Sequence, residues 1–204
     1  MNTALMFSTG QNATGTPVGY FAALSARVGG FGCDVAADQR LTLVPESWYG
    51  PDHADPARRD ALVVDWPTDR PNWLNPPYSD PEARCARSTR TGEYRCKKKR
   101  CRKRGYHIDV RRPGCIDFIR HAAEQRRRGV TTWALVAART DTAWFHRYVW
   151  DAETQRPRDG VAVEFLPGRL IFRRDGAPDP SPFPSMLVIF CGVALVSAKP
   201  SADR

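Results

Sequence analysis

The chain has 204 residues, 42% of them hydrophobic, which is enough for one domain with a substantial core and too apolar for a disordered protein. Its formal charge of +9 is unevenly spread: Arg84 to Arg112 carry 13 Lys or Arg against two acids, while the remainder, with 18 basic and 20 acidic residues, is nearly neutral. The most apolar run, "MLVIFCGVALV" at Met186 to Val196, is about half the ~20 residues of a spanning helix, so no membrane span is expected.

The N-terminal run "MNTALMFSTGQNATG" lacks a basic flank and a long apolar stretch, so an intracellular, cytoplasmic protein is expected. In a reducing compartment the six cysteines are expected as free thiols, metal ligands or core residues rather than a disulfide frame.

In chain order, Thr16 followed by Pro17 predicts a helix start, with the hydroxyl as N-cap and proline at the first helical position. Phe21, Leu24 and Val28 then share a face until Gly29-Gly30 ends the helix. A short strand is expected near "FGCDVAA", with Asp34 either capping a helix that begins "AADQ" or serving a ligand. "DALVVDW" and "PNWL" read as further short strands. After the basic segment, Ile116, Ile119 and Ala123 have helical spacing, closed by Gly129. "VTTWALVAA" predicts a buried strand, and Thr140 or Asp141 a cap for the helix "TAWFHRYVW". The C-terminal part reads as strand "VAVEFL", turn "PG", strand "RLIFRR", a Pro-rich loop and strand "SMLVIF". Helices alternating with strands predict a largely parallel α/β sheet with an antiparallel edge.

In such sheets ligands bind at the carboxyl ends of the strands. The pattern assigns Asp34, Asp65, the loop "NPPY" at Asn75-Pro76-Pro77-Tyr78, and Arg139 to Asp141 to that edge. The two prolines stiffen the loop and remove two donors, leaving carbonyls, an amide side chain and a ring. An exocyclic amine on a nucleobase is a weak nucleophile because its lone pair is delocalised. Two acceptors, the Asn75 side-chain oxygen and the Pro76 carbonyl, would draw both N–H bonds out of conjugation, with Tyr78 stacked on the base. Within a duplex the base must first be flipped out. A proline turn with a packed tyrosine is the structural alternative.

Asn75-Pro76-Pro77-Tyr78 resembles the catalytic loop of S-adenosylmethionine-dependent amino methyltransferases. "TPVGYFAAL" with "FGCDVAA", then "WLNPPYS", "ARTDTAWFH", "LPGRLIF" and "PFPSMLVIF", in that order, resemble the phage-type DNA N-6-adenine methyltransferase (Dam-like) family. The resemblance, which runs from about Thr16 to Phe190, implies a Rossmann-like methyltransferase sheet; a single domain is expected over 14–198, interrupted by a basic insertion at 80–114, with flexible tails at 1–13 and 199–204. It implies S-adenosylmethionine as cofactor, double-stranded DNA as partner and the cytoplasm of a bacterial or phage-infected cell as location. Catalysis is carried onto Asn75, Pro76, Pro77 and Tyr78, cofactor contacts onto Asp34, Asp65, Thr16 and Pro17, and the DNA side of the pocket onto Arg139 and Asp141. One departure from many methyltransferases is that the Asp34 region has no Gly-rich loop. The residues of the loop also leave open cytosine N4, an RNA base, a protein glutamine amide, or a non-catalytic nucleic-acid-binding protein; the local positive charge favours nucleic acid.

The insertion is expected to face DNA phosphates through Lys97, Lys98, Lys99 and Arg100, or to be a solvated loop. Cys85, Cys96, Cys101 and His107 offer four ligands for zinc, with Cys115 or His121 as substitutes, although spacings of ten, four and five residues match no standard finger. Free thiols are the alternative. No feature of the sequence fixes an oligomeric state.

Overall fold

The computed structural model describes residues 15–174 and 177–192. The tails expected at 1–13 and 199–204, and the end of the apolar run at Val196, lie outside the described residues.

In chain order the elements are α1 (Val18–Val28), β1 (Cys33–Asp34), β2 (Asn72–Leu74), α2 (Lys99–Arg104), α3 (Cys115–Gln125), β3 (Thr132–Ala137), α4 (Ala143–Tyr148), β4 (Trp150–Asp151), β5 (Arg156–Pro157), β6 (Val161–Phe165), β7 (Ile171–Arg174), β8 (Ala177–Pro180) and β9 (Ser185–Phe190). Helix α1 ends where predicted, at Gly29 with φ +76°, whose N–H returns to the Ser25 carbonyl. Its start differs from expectation: Pro17 is the N-cap residue and no side chain caps it, because the Thr16 hydroxyl is engaged elsewhere.

The main sheet has the order β1-β2-β3-β9-β6. β1, β2 and β3 are parallel, in register at Asp34↔Trp73 and Trp73↔Trp133, and β9 runs antiparallel to both of its neighbours. The antiparallel strand is therefore inside the sheet rather than at its edge. Successive side chains of a strand point to opposite faces, and here both faces are covered. Ala134, Val136, Met186, Val188 and Phe190 pack with Phe118 and Ile119 of α3 and Phe145 of α4. Trp133, Leu135, Leu187 and Ile189 pack on the other side with Phe21 and Leu24 of α1. This three-layer burial explains why β3 and β9 read as continuous apolar runs.

Several predicted elements are replaced. "DALVVDW" is not a strand but a set of turns: Asp60 accepts from the Leu62 N–H at 3.0 Å, and Val63 is 76% exposed. No helix follows Asp34; the segment turns back, with the Leu41 and Thr42 N–H groups both donating to the Asp38 carbonyl. Neither Thr140 nor Asp141 caps α4, which starts after Thr142, whose hydroxyl donates to the Arg139 carbonyl at 2.8 Å. β6 and β7 do not form a hairpin: β6 pairs with β9, whereas β7 pairs with β8 within the expected Pro-rich loop. Two prolines fit in β8 because a two-stranded ribbon leaves one side of each strand without ladder bonds.

The basic insertion leaves and returns at one place. The Cys115 N–H donates to the Ser79 carbonyl at 3.0 Å, and Glu82 and Arg112 exchange backbone hydrogen bonds at 2.9 Å each. Gly114 sits in this pinch, where an added Cβ would lie 2.4 Å from both the Ser79 oxygen and the Pro81 nitrogen, so only glycine allows the two strands of chain to pass.

Candidate active site

Because β1, β2 and β3 are parallel, their carboxyl ends share one edge of the sheet, and β9 begins there, with Ser185 opposite Ala137. A cavity of about 320 Å³ opens at this edge. Asp34 at the end of β1, all four residues of Asn75-Pro76-Pro77-Tyr78 after β2, Thr16 before α1, and Phe183 before β9 contribute to its wall. Four separate stretches of sequence thus meet around one space.

Thr16 is buried, and its hydroxyl accepts a hydrogen bond from Asn75 Nδ2 at 3.1 Å. The contact predicted as a helix cap therefore orients the loop amide instead. The Tyr78 hydroxyl donates to the Leu135 carbonyl at 3.3 Å, and its ring meets Phe172 edge-on, with centroids 6.0 Å apart. Burial pushes the phenol well above its ordinary range, so Tyr78 is a neutral packing surface rather than a proton-transfer group.

Asp34 is 5% exposed. Burial pushes its carboxyl up to about 6, against the lowering effect of hydrogen bonds from the Ala36 and Leu43 N–H groups and the Thr42 hydroxyl. The carboxylate is thus held by three donors while being short of solvent. The Asp34 region, which has no Gly-rich loop, presents to the cavity the small side chains of Ala36 and Ala37 and also Gly50, whose added Cβ would fall 2.1 Å from the Ala37 carbonyl.

The other expected residues are distributed differently. Pro17 does not line this cavity. Asp65 is not at its wall either: it pairs with Arg128 at 2.6 Å and accepts from Gln125 Nε2 at 3.2 Å, on the side of α3. Arg139 and Asp141 line a second cleft of about 390 Å³ with Thr142 and Trp144, and Tyr78 contributes to both spaces. The Arg139 guanidinium lies 6.0 Å from the Phe183 ring, linking the second cleft to the rim of the first. Tyr49, Arg59 and Phe183 line the main cavity without having been singled out in the sequence. Phe183, 44% exposed within "SPFPS", carried the one available signal, an aromatic residue held between prolines in a polar loop.

In the insertion, Lys97, Lys99 and Arg100 are exposed, Lys98 donates to the Ala83 carbonyl at 2.8 Å, and Arg100 is 3.7 Å from Glu82. The ligand atoms of Cys85, Cys96, Cys101 and His107 all lie within 4.8 Å of one another. The substitutes Cys115 and His121 are not in this group; His121 Nε2 is 3.0 Å from the Val64 carbonyl. Among the described residues no helix is long and apolar enough to cross a membrane.

The family model described as DNA N-6-adenine-methyltransferase (Dam) matches residues 8–191. No curated protein and no solved structure matches the chain. The match spans every strand of the main sheet and the loop at its centre, and the chain belongs to the DNA N-6-adenine-methyltransferase (Dam) family.

Proposed function

We propose that this methyltransferase of adenine N6 in DNA acts on a base extruded from the duplex, with Asn75-Pro76-Pro77-Tyr78 as its catalytic loop and the cavity beside it as the cofactor site. The observation that carries the reading is that one cavity is lined both by the buried acid Asp34 and by all four residues of the loop. Membership of the family implies S-adenosylmethionine. The donor set fits it: a desolvated carboxylate suits ribose hydroxyls or an ammonium group, and Leu43, Tyr49 and Val35 supply apolar wall for an adenine ring. The mixed α/β sheet, parallel at β1 to β3 with its ligand edge at their carboxyl ends, is consistent with a Rossmann-like methyltransferase domain over 14–198 interrupted at 80–114.

The bound cofactor supplies an electrophilic methyl carbon on a sulfonium sulfur. The chain positions the nucleophile. Asn75, oriented by Thr16, accepts one N6–H of adenine through its side-chain oxygen, and the Pro76 carbonyl accepts the other, which returns the nitrogen lone pair from the ring. Tyr78, neutral and braced by Phe172 and Leu135, gives the base an aromatic surface. Asp34, Val35, Leu43 and Tyr49 would hold S-adenosylmethionine so that its methyl carbon passes to N6 and the carbon–sulfur electron pair stays on sulfur, leaving N6 as an ammonium. The resulting ammonium is acidic and releases a proton to water, so no strong base is required. Arg139 and Asp141, in the second cleft, serve the DNA side, and Lys97, Lys98, Lys99 and Arg100 add positive charge beside it.

The test is transfer of labelled methyl to unmethylated duplex DNA followed by nucleoside analysis. N6-methyladenine that is lost in Asn75→Ala supports the loop assignment. Undiminished transfer by Asn75→Ala would remove it.

A further inference from the structure

We propose that Cys85, Cys96, Cys101 and His107 hold one structural zinc ion that folds the basic insertion into a rigid DNA-phosphate-contacting module beside the loop. The metal part stands on the insertion's own geometry; the DNA-contact part rests on the reading above.

The geometry matches a closed tetrahedral site. Zinc–sulfur bonds of about 2.3 Å require sulfur–sulfur edges of about 3.8 Å. Cys101 Sγ lies 3.5 Å from Cys85 Sγ and 3.6 Å from Cys96 Sγ, and the histidine nitrogen completes the group within 4.8 Å. His107 Nδ1 is buried without a hydrogen-bond partner, which is an unstable condition for an imidazole nitrogen unless a ligand meets it. Four protein ligands leave no open position, so the site is structural rather than catalytic.

The surroundings orient these ligands as a second shell does. The Ile108 N–H donates to Cys85 Sγ at 3.4 Å, Arg104 Nη2 to Cys101 Sγ at 3.3 Å, and the Tyr94 ring stacks on His107 with centroids 4.3 Å apart. Three thiolates around a divalent ion leave one net negative charge, which suits a segment otherwise crowded with cations.

The insertion also needs such a centre. Its buried apolar cluster consists of Cys85, Cys101 and Ile108, with Tyr94 and Cys96 packed against them. That is too little apolar surface to order a segment of this length and charge without a metal. Each ligand comes from a different local element: Cys85 before the Arg87↔Tyr94 bridge, Cys96 after it, Cys101 within α2, and His107 beyond Gly105. One ion therefore fixes the whole segment, with Lys97, Lys99, Arg102 and Lys103 exposed on its surface.

The test uses the full chain, purified reduced and without added chelator. One zinc per chain with a three-sulfur, one-nitrogen X-ray absorption signature is expected, and stripping it should expose the insertion to trypsin and weaken duplex DNA binding about tenfold or more at moderate salt. His107→Ala and Cys96→Ser should lower zinc content, and cobalt added to stripped wild-type protein should give tetrahedral thiolate absorption even if those variants misfold. Zinc well below one per chain together with no cobalt absorption would overturn the proposal, as would a Cys85–Cys101 disulfide in freshly isolated protein. Unchanged DNA binding after stripping would overturn the module's role. The zinc count needs no methyl transfer, so failure of the catalytic reading would leave it standing.

Discussion

Asp34 gives the most quantitative test of the cavity's electrostatics. Its carboxyl is pushed up to about 6 by burial, from an ordinary value near 3.9, a difference of about two units or ~3 kcal/mol. The folded state binds this proton more tightly than the unfolded chain does. As pH rises from about 4 to about 6 the native protein holds more protons at this site than the unfolded chain, so stability falls through that window and levels off above it. Asp34→Asn removes the ionisation while costing about 1 kcal/mol for each hydrogen bond from Ala36, Leu43 or Thr42 that the amide cannot accept. That cost does not depend on pH. Urea unfolding of both proteins without cofactor at a series of pH values between 4 and 7.5 therefore isolates the effect: relative to Asp34→Asn, the wild-type protein should lose about 2–2.5 kcal/mol from the low to the high end, because the unfolded carboxyl is already half ionised near pH 4. A difference between the two proteins that stays constant across this range would refute the reasoning, since a solvated Asp34 would titrate near its ordinary value in both the folded and the unfolded chain.

Thr16→Val removes the hydroxyl that orients Asn75, and loss of about 1 kcal/mol at the transition state should lower single-turnover methyl transfer about fivefold, with Thr16→Ser near wild type; an equal loss in Thr16→Ser would show that the hydroxyl is not the operative group. Gly114→Ala forces a methyl against the Ser79 carbonyl and the Pro81 nitrogen, and thermal unfolding should show destabilisation of about 1–3 kcal/mol with reduced transfer, because the carboxyl side of the loop must shift. Joint replacement of Lys97, Lys99 and Lys103 by alanine should reduce the logarithmic salt dependence of duplex binding by about 2–3 if each contacts a phosphate, leaving binding of S-adenosylmethionine, measured by calorimetry, unchanged.

What was legible in the sequence follows the physics of burial. β3 and β9 read correctly because strands covered on both faces need apolar residues at every position, and α1 and α3 because one helical face is buried and glycines in the left-handed region end the helical segments. "DALVVDW" was misread because a short apolar run carries no period that separates a strand from packed turns; an aspartate accepting from the backbone two residues on decided it. The Thr16 cap failed because a longer-range partner, Asn75, competed for the hydroxyl. Tyr49 and Arg59 were out of reach, since the stretch between β1 and β2 is mostly turns and irregular chain whose side chains are aimed by tertiary contacts such as the Ala37 N–H to Tyr49 carbonyl bond of 2.9 Å. The cysteine set was recognisable by composition alone. Its long ten-residue spacing becomes short in space only because Arg87 and Tyr94 bridge across the intervening turn.

The placement of the insertion has its own logic. A parallel pair such as β2 and β3 requires a crossover, so the chain must already leave the sheet after the loop and return through α3. Lengthening such a connection costs closure entropy only slowly, as the logarithm of its length. The reciprocal Glu82–Arg112 pair and the Ser79–Cys115 bond close the inserted segment at its base, so what lies beyond them does not pull on Asn75. Glu82 strengthens that closure. Burial pushes its carboxyl up, yet the bidentate hydrogen bonds from Arg104 and the charges of Arg100 and Lys98 prevail and hold it below the usual range, tying the inside of the insertion to its own neck. A segment attached this way sits beside the loop proposed to bind the base and is closed by its own hydrogen bonds at the neck. Residues of the insertion, proposed to contact DNA, can therefore be gained, lost or exchanged at this point without disturbing the amide, carbonyl and ring proposed to hold the adenine.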